Sequence, residues 1–407
     1  MVLTFAACGD QGDEKASKDD SSKSKKKKDD DDDEKKDGDG NAVEKAAGDL
    51  EVKFEDVKGM VKKGKPISAK QYEKLVLAHA NCKVTDQGID SKCEAVKIMR
   101  ESMNRSQLAK GALGGNSKLG QRLINHEHPA VRIKAAGMMG SLFGTADKSQ
   151  DMIVEALRKE KHPAVMKAMI RTIRNDGARN PKVGKLLLEL ADHDNPMIQK
   201  EAVYGLSSSW NAELEGGPEK LIDLMKEDED AEVRQAACKY AGKLGDAKLF
   251  PVYKELLSKR DDGKLWADCF QGLVEMWGAY PLYGTSSEDA YKLTIELLNS
   301  TPRTDEIPPW QGMSDFGYLR GETNKKLVEW KEKATWYDEA ELRKALSAVI
   351  ADGDANWMAR TGAAKAIAKI GASKADLEKL RKGYGDDSKG NDKHVAKALD
   401  ELIAKAE

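Results

Sequence analysis

From about residue 95 to the C-terminus, apolar residues recur three and four positions apart, in runs separated by turn-forming residues. That spacing places one apolar stripe on each of a series of helices. Val131-Arg132 is followed by Ala135, Ala136, Met139 and Leu142. The same offsets return at Val233-Arg234 with Ala237, Cys238, Ala241 and Leu244, and at Ala359-Arg360 with Ala363, Ala364, Ile367 and Ile370. Looser copies begin at Val165, Ile198, Leu265 and Val395. The anchors 131, 165, 198, 233 and 265 are 34, 33, 35 and 32 residues apart. A fixed period of this length marks an array of supersecondary units.

Each unit predicts two helices. The first carries small residues four and five positions after its anchor, where a neighbouring helix must approach closely. A second amphipathic run follows a Gly- or Asp-bearing turn: Met152 to Leu157, Val183 to Leu190, Leu221 to Met225, and Phe250 to Leu257. One such pair cannot bury its stripe alone, whereas stacked pairs share a continuous core.

An entry turn of Asp, Asn or His-Pro, a Val-Arg mark and the Ala-Ala and Leu-Gly that follow resemble the HEAT-repeat family in its short bacterial form. The resemblance covers about residues 95–407, is closest at 126–278 and 352–372, and lapses over 279–338. It implies an all-α fold, a right-handed α-solenoid of about eight antiparallel helix pairs. It also implies that the Arg of the anchor is structural, reaching turn carbonyls or acids of the next repeat, so Arg132, Arg234 and Arg360 are assigned to architecture. Residues 42–94 read as a helical lead-in that caps the exposed first repeat.

Upstream the pattern changes character. Met1 to Cys8, Met-Val-Leu-Thr-Phe-Ala-Ala-Cys, resembles the end of a bacterial lipoprotein signal, with small residues before a Cys that receives lipid. The apolar run is shorter than an ordinary h-region and lacks basic residues before it, so the true start is expected further upstream. Residues 9–41 hold no aromatic or large aliphatic side chain and run from Lys25–Lys28 straight into Asp29–Asp33. Such a segment cannot bury enough apolar surface to offset its ordering entropy, and is expected to serve as a disordered tether. At 5–6 Å × √n it would reach roughly 30 Å. Gly9 after the Cys leans towards outer-membrane sorting, facing the periplasm, by resemblance to enteric lipoproteins.

Charge adds little to this picture. The chain has 68 basic and 70 acidic side chains. Residues 10–40 hold 9 Lys and 13 acids, a local −4, which leaves the remainder near +2. A nearly neutral body argues against a large nucleic-acid interface. No stretch approaches the roughly 18 consecutive apolar residues of a spanning helix.

Of the five Cys, Cys8 is assigned to lipid. Cys82 and Cys93 enclose a short polar loop and are read as a disulfide stapling a helical hairpin, with a metal site as the alternative. Cys238 and Cys269 fall inside repeat helices and are read as buried small hydrophobes.

Catalytic readings fare poorly. A HEAT-like relative, deoxyhypusine hydroxylase, binds di-iron through several His-Glu pairs; this chain has one, His126-Glu127, without a second copy at the repeat spacing. His128 and His162 recur 34 residues apart but each precedes Pro, where a polar ring caps or solvates a turn. No phosphate loop, His-Glu-x-x-His or nucleophile elbow occurs. The expectation is therefore no cofactor, no metal and no small-molecule substrate.

The repeat breaks at 279–338. A helix over Ser287–Asn299 precedes an irregular stretch, residues 300–321, rich in Pro, Gly and Thr and carrying Trp310, Phe316 and Tyr318. A helix is expected to resume near Glu322 and to carry Trp330 and Trp336. Residues 277–337 hold 10 of the chain's 23 aromatics. Long irregular loops are commonly functional, and Trp and Tyr lead among binding hot spots. These five aromatics are the candidate partner-binding residues, with core filling as the competing reading. The function expected is a non-catalytic protein-binding scaffold, lipid-anchored in the bacterial envelope. The alternatives are a spacer without a discrete partner, or a metal-dependent enzyme.

Overall fold

The anchors 131, 165, 198, 233 and 265 each lie at the third residue of a helix. In the computed structural model these helices are α5 (Pro129–Leu142), α7 (Pro163–Ile173), α9 (Pro196–Leu206), α11 (Ala231–Ala241) and α13 (Gly263–Val274). The structure describes residues 52–60, 69–102, 117–142, 147–226, 229–279, 287–300, 332, 334–385 and 390–406. Cys8, the 9–41 segment, Trp310, Phe316, Tyr318 and Trp330 lie outside the described residues.

Local chemistry sets where the first helices begin. Pro occupies the first turn of α7 and α9, where its missing N–H costs nothing. Asn195 caps α9 by accepting from Met197 N, and Asp230 caps α11 by accepting from the N–H groups of Glu232 and Val233. The second helices follow as α6 (Asp147–Leu157), α8 (Pro181–Leu190), α10 (Gly217–Asp223), α12 (Leu249–Ser258) and α14 (Glu288–Ser300). Beyond residue 332 come α15 (Glu339–Ala351), α16 (Trp357–Lys369), α17 (Lys374–Arg381) and α18 (Asn391–Ile403). The anchor Ala359 again sits at the third residue of its helix, α16.

Neighbouring units stack. The first helices pack side by side, α5 on α7, α7 on α9, α9 on α11 and α11 on α13, and α16 on α18 further along. The second helices form the other layer, α6 against α8, α10 against α12 and α12 against α14. One continuous core runs between the layers: Val131, Ala136, Met139, Val165, Ile198, Ala202, Val233, Ala237 and Leu273 are wholly buried in it. This is an all-α solenoid of stacked helix pairs, the architecture the periodicity predicts.

The closest backbone approach falls at glycines nine and seven residues after their anchors, beyond the small residues at four and five. A Cβ on Gly242 would sit 1.8 Å from Gly272 O, and one on Gly272 would sit 2.1 Å from Cys238 O. The backbones of α11 and α13 touch there, and only glycine fits. In this close approach Cys238 and Cys269 form a disulfide, their Cα atoms 4.7 Å apart. They are buried as expected but are not independent hydrophobes. One lies five residues after its anchor and the other four, so the two side-chain positions meet across the helix–helix seam.

At the N-terminal side lie α1 (Phe54–Val57), α2 (Ala69–Leu77), α3 (Glu94–Ser102) and α4 (Ser117–Ile124). The Cys82–Cys93 disulfide is present, with Cα atoms 5.6 Å apart. It closes a β-hairpin rather than a bare loop. Strands β1 (Val84–Thr85) and β2 (Gly88–Ile89) pair antiparallel, Val84 opposite Ile89. Gly88 has φ +140°, a value other side chains rarely adopt. Val84 and Ile89 pack towards the core, and β2 contacts α5.

Candidate functional site

Ion pairs tie each unit to the next at close to the repeat spacing. One of them begins at Arg132, whose Nη1 donates to His126 O (2.8 Å) and Glu127 O (2.6 Å) in the turn before its own helix. Its Nε and Nη2 donate to the two carboxylate oxygens of Glu160, at 2.7 and 3.0 Å, in the turn before α7. Glu160 also accepts from the N–H groups of Lys161 and His162. Burial works to raise the Glu160 pKa, but Arg132 and these two N–H groups outweigh it and hold the carboxyl below the usual range. Arg360, almost wholly buried, reaches Ile350 O, Asp392 and the Tyr384 hydroxyl at 3.1, 2.8 and 2.9 Å. Both arginines do what the family resemblance implies, binding turn carbonyls and an acid of the following unit.

The histidines of the entry turns work as acceptors. His126 Nδ1 accepts from His128 N at 3.0 Å, His128 Nδ1 from Ala130 N at 3.3 Å, and His193 Nδ1 from Asn195 N at 2.9 Å. Burial lowers the pKa of His126 and of His128, consistent with neutral rings that accept. His162 departs from this role: its ring makes no cap bond, and Glu160 serves the turn instead. Among the described residues no three of His, Cys, Asp and Glu converge as metal ligands, and no helix is long and apolar enough to cross a membrane.

Of the five predicted contact aromatics, Trp336 alone lies among the described residues. It sits in the turn before α15 and not on a helix, because Tyr337 N bonds Ala334 O and Asp338 then caps α15. Its half-buried ring lies 5.3 Å from that of Tyr291. Tyr291 in turn meets Trp277 edge-on at 5.0 Å, and Trp277 Nε1 donates to Thr294 Oγ1 at 2.9 Å. Trp277 stands on a wide π-turn, Glu275–Ala279, that extends α13. Tyr291 anchors the group through its hydroxyl, which donates to Asp338 O at 2.8 Å. The aromatic density at 277–337 therefore includes a packed cluster joining α13, α14 and the start of α15.

A second aromatic region had no sequence signature. Trp210, 56 % exposed, is the one large exposed hydrophobe among the described residues. It lies on a single 3₁₀ turn, Ser209–Asn211, between α9 and α10. Asn211 pins that turn: its side-chain amide donates to Arg174 O (2.7 Å) and Gly205 O (2.8 Å), and its oxygen accepts from Ala178 N (3.1 Å). The turn also packs on Gly242–Leu244 of the next unit. Along the adjoining first helices, Tyr204 and Tyr240 meet edge-on at 5.0 Å. Arg174 lies over the Tyr204 ring at 5.6 Å and Lys243 over Tyr240 at 4.5 Å. Buried Glu201 holds Arg171 at 2.6 Å and Arg174 at 3.1 Å. The Tyr204–Tyr240 pair with Arg171, Arg174 and Lys243 thus forms an ordered aromatic and cationic row across three consecutive units, and the Trp210 turn packs on the last of them. A lone Trp in a turn follows no period, so only the stacking of units reveals its neighbours.

Comparison with known proteins agrees with the repeat geometry. A family model for HEAT repeats matches residues 116–207, the segment from α4 to the end of α9. Over that segment the chain is similar to HEAT-repeat proteins. No curated protein matches the chain.

Proposed function

We propose that the chain is a protein-binding scaffold, held at a bacterial envelope membrane by lipid on Cys8 and spaced from it by residues 9–41. The observation that carries the binding role is the rigid edge at Trp210. There an exposed indole and a Tyr–Tyr pair flanked by arginine and lysine stand on helices tied unit to unit. Large aromatics and arginines that are already ordered lose little entropy on binding, which is what hot spots require. HEAT repeats generally mediate protein–protein contact, in keeping with the match at 116–207. Trp310, Phe316, Tyr318 and Trp330, with Trp336, supply a second contact region in this reading.

The envelope location rests on the lipoprotein-like Met1–Cys8 segment and on disulfides, which persist in oxidising compartments. Gly9 favours the outer membrane, facing the periplasm. Tethering would raise the local concentration of partner and scaffold without adding contacts.

In-cell photo-crosslinking of the tagged full-length chain tests this, with the probe at position 210, 310 or 336 and mass spectrometry of the captured species. One dominant protein captured at these positions, and lost from a probe at exposed Lys185 on α8, supports the scaffold. Diffuse capture, equal at all four, favours a spacer without a discrete partner. Globomycin sensitivity and palmitate labelling of the chain, absent in Cys8→Ser, test the anchor separately.

A further inference from the structure

The two helix layers differ in charge. Counted with the closing residues Arg174 and Lys243, the first helices α7, α9 and α11 carry seven bases and two acids. The second helices of the same units, α8, α10 and α12, carry four of each. Two and six residues after their anchors, α7 presents Lys167 and Arg171, and α9 presents Lys200 and Tyr204. On α11 the sixth residue is Lys239. Residues four apart share a helix face, so these positions line up from unit to unit.

The contacts along this row show how its charge is disposed. Arg171 and Arg174 share one carboxylate, that of Glu201, which is 2 % exposed. Two guanidiniums on one buried anion leave a surplus positive charge, and the Arg171 side chain is 53 % exposed. A second cationic centre is Tyr240, with Lys239 and Lys243 over its ring at 5.7 and 4.5 Å. Asp268 serves Lys239 at 3.7 Å from a buried position. Glu232, the exposed acid of this face, is engaged by Lys200. Between the two centres Tyr204 and Tyr240 stand half-buried in edge-on contact.

We propose that this row binds an acidic, extended segment of the partner protein. Its carboxylates meet the Arg171–Arg174 and Lys239–Lys243 centres, and the backbone between them crosses the Tyr204–Tyr240 pair. An exposed guanidinium fork favours carboxylates, and an ordered aromatic pair offers a platform to planar peptide groups. Rings half-buried among cations supply no apolar wedge for a bilayer, which favours a peptide over an anionic membrane. Stacked helices stand roughly 8–10 Å apart, and an extended chain advances roughly 3.3 Å per residue. Since α7 and α11 lie two helices apart, the two acidic groups stand about five to six residues apart in the segment. The inference rests on the scaffold reading and names the chemistry that one of its surfaces recognises.

The test is fluorescence anisotropy on the full-length Cys8→Ser chain, so that lipid takes no part in the readout. The labelled probes are the capped peptide Gly-Asp-Asp-Gly-Ser-Gly-Asp-Asp-Gly, its counterpart with Asn for every Asp, and an isomer with the four Asp adjacent. The spaced acidic peptide should bind, the Asn counterpart at least about tenfold more weakly, and the isomer about threefold more weakly. Raising the salt should weaken the binding. Arg171→Gln and Lys243→Glu should each weaken the spaced peptide about tenfold. Arg171 also holds Glu201, so Lys243→Glu, with unchanged far-UV circular dichroism, decides the matter if Arg171→Gln misfolds. Lys185→Glu, on the exposed face of α8, should leave binding unchanged. Equal affinity for the Asp and Asn peptides, or an equal loss in Lys185→Glu and Lys243→Glu, overturns the row as an acidic-segment site. Equal affinity for the two isomers overturns the extended placement. Retention of the chain on phosphatidylglycerol vesicles, lost in Lys243→Glu and without peptide binding, overturns the proposal in favour of a membrane. If cellular capture at position 210 persists after any of these results, the scaffold reading stands without this row.

Discussion

Cys238 and Cys269 are joined across the seam between α11 and α13, 31 residues apart in sequence and a single repeat apart in space. The bond locks two units whose backbones already touch at Gly242 and Gly272. Closing a loop of this length removes unfolded-state entropy worth roughly 3–4 kcal/mol. The double variant Cys238→Ala/Cys269→Ala should lose about that much in denaturant unfolding. Adding reductant should lower wild-type stability further than that of the variant, which keeps only the Cys82–Cys93 bridge.

The seam also sets a steric test. Gly242→Ala would drive a methyl to within 1.8 Å of Gly272 O, a backbone atom that cannot move without separating the helices. A loss of more than about 3 kcal/mol is expected, read as a fall in melting temperature. Gly353→Ala, where nothing lies within 4 Å, should leave stability within about 0.5 kcal/mol of wild type.

How far this architecture was legible follows from the same seam. Periodicity located the first helices because an apolar stripe must recur every 3.6 residues to stay on one face, and the anchors 131 to 265 all fell at equivalent places. The small residues after each anchor announced close approach. They did not announce a disulfide, because Cys at such a position has nearly the size and polarity of the Ala it replaces. The entry-turn chemistry is half legible: the repeat marks Arg132 as architectural, while Glu160 as its partner requires the third dimension. Trp210 was invisible, since exposure and neighbours depend on three units at once. The β-hairpin within Cys82–Cys93 is too short, at two residues per strand, for alternation to register.

Arg132 and Glu160 form the best-enclosed ion pair of the ladder, their side chains 17 % and 6 % exposed. Glu160→Ala would leave the guanidinium with its two carbonyl partners only and release the caps on Lys161 and His162. A destabilisation of about 3 kcal/mol is expected. Arg158–Glu189, on the exposed surface of the next units, should give under about 1 kcal/mol in a double-mutant cycle. Urea midpoints of the four variants and the wild type measure both.

His79 is wholly buried, with Nδ1 donating to Leu75 O at 2.9 Å and Nε2 unbonded. Burial, helped by the charge of Lys134, lowers its pKa from 6.5 to about 4. The folded state thus binds fewer protons than the unfolded chain between these values, so stability falls as the pH drops from about 6.5 towards 4. The full effect is roughly 3 kcal/mol. His79→Leu should flatten this part of the pH profile. The Glu160 contribution has the same sign in a lower window: its lowered pKa stabilises fully above about 4.5 and that stability is lost as pH falls through the folded value. Urea midpoints taken at pH 7, 5.5 and 4.5 in both chains separate the two.

Trp336 and Trp310 divide the two readings of the aromatic stretch. Trp336 packs on Tyr291, whose hydroxyl ties α14 to the turn before α15. Trp336→Ala should therefore cost about 1–3 kcal/mol through lost ring contact, and Tyr291→Phe about 1 kcal/mol through the lost hydroxyl bond. Trp310→Ala is expected to leave the melting temperature unchanged and to abolish partner capture, as a contact residue outside the packed cluster would. A fall in melting temperature for Trp310→Ala, with capture reduced only in proportion to the folded fraction, would assign Trp310 to packing. Recognition would then rest on Trp210, where Trp210→Ala should abolish capture while costing less than about 1 kcal/mol in stability, because the ring is 56 % exposed.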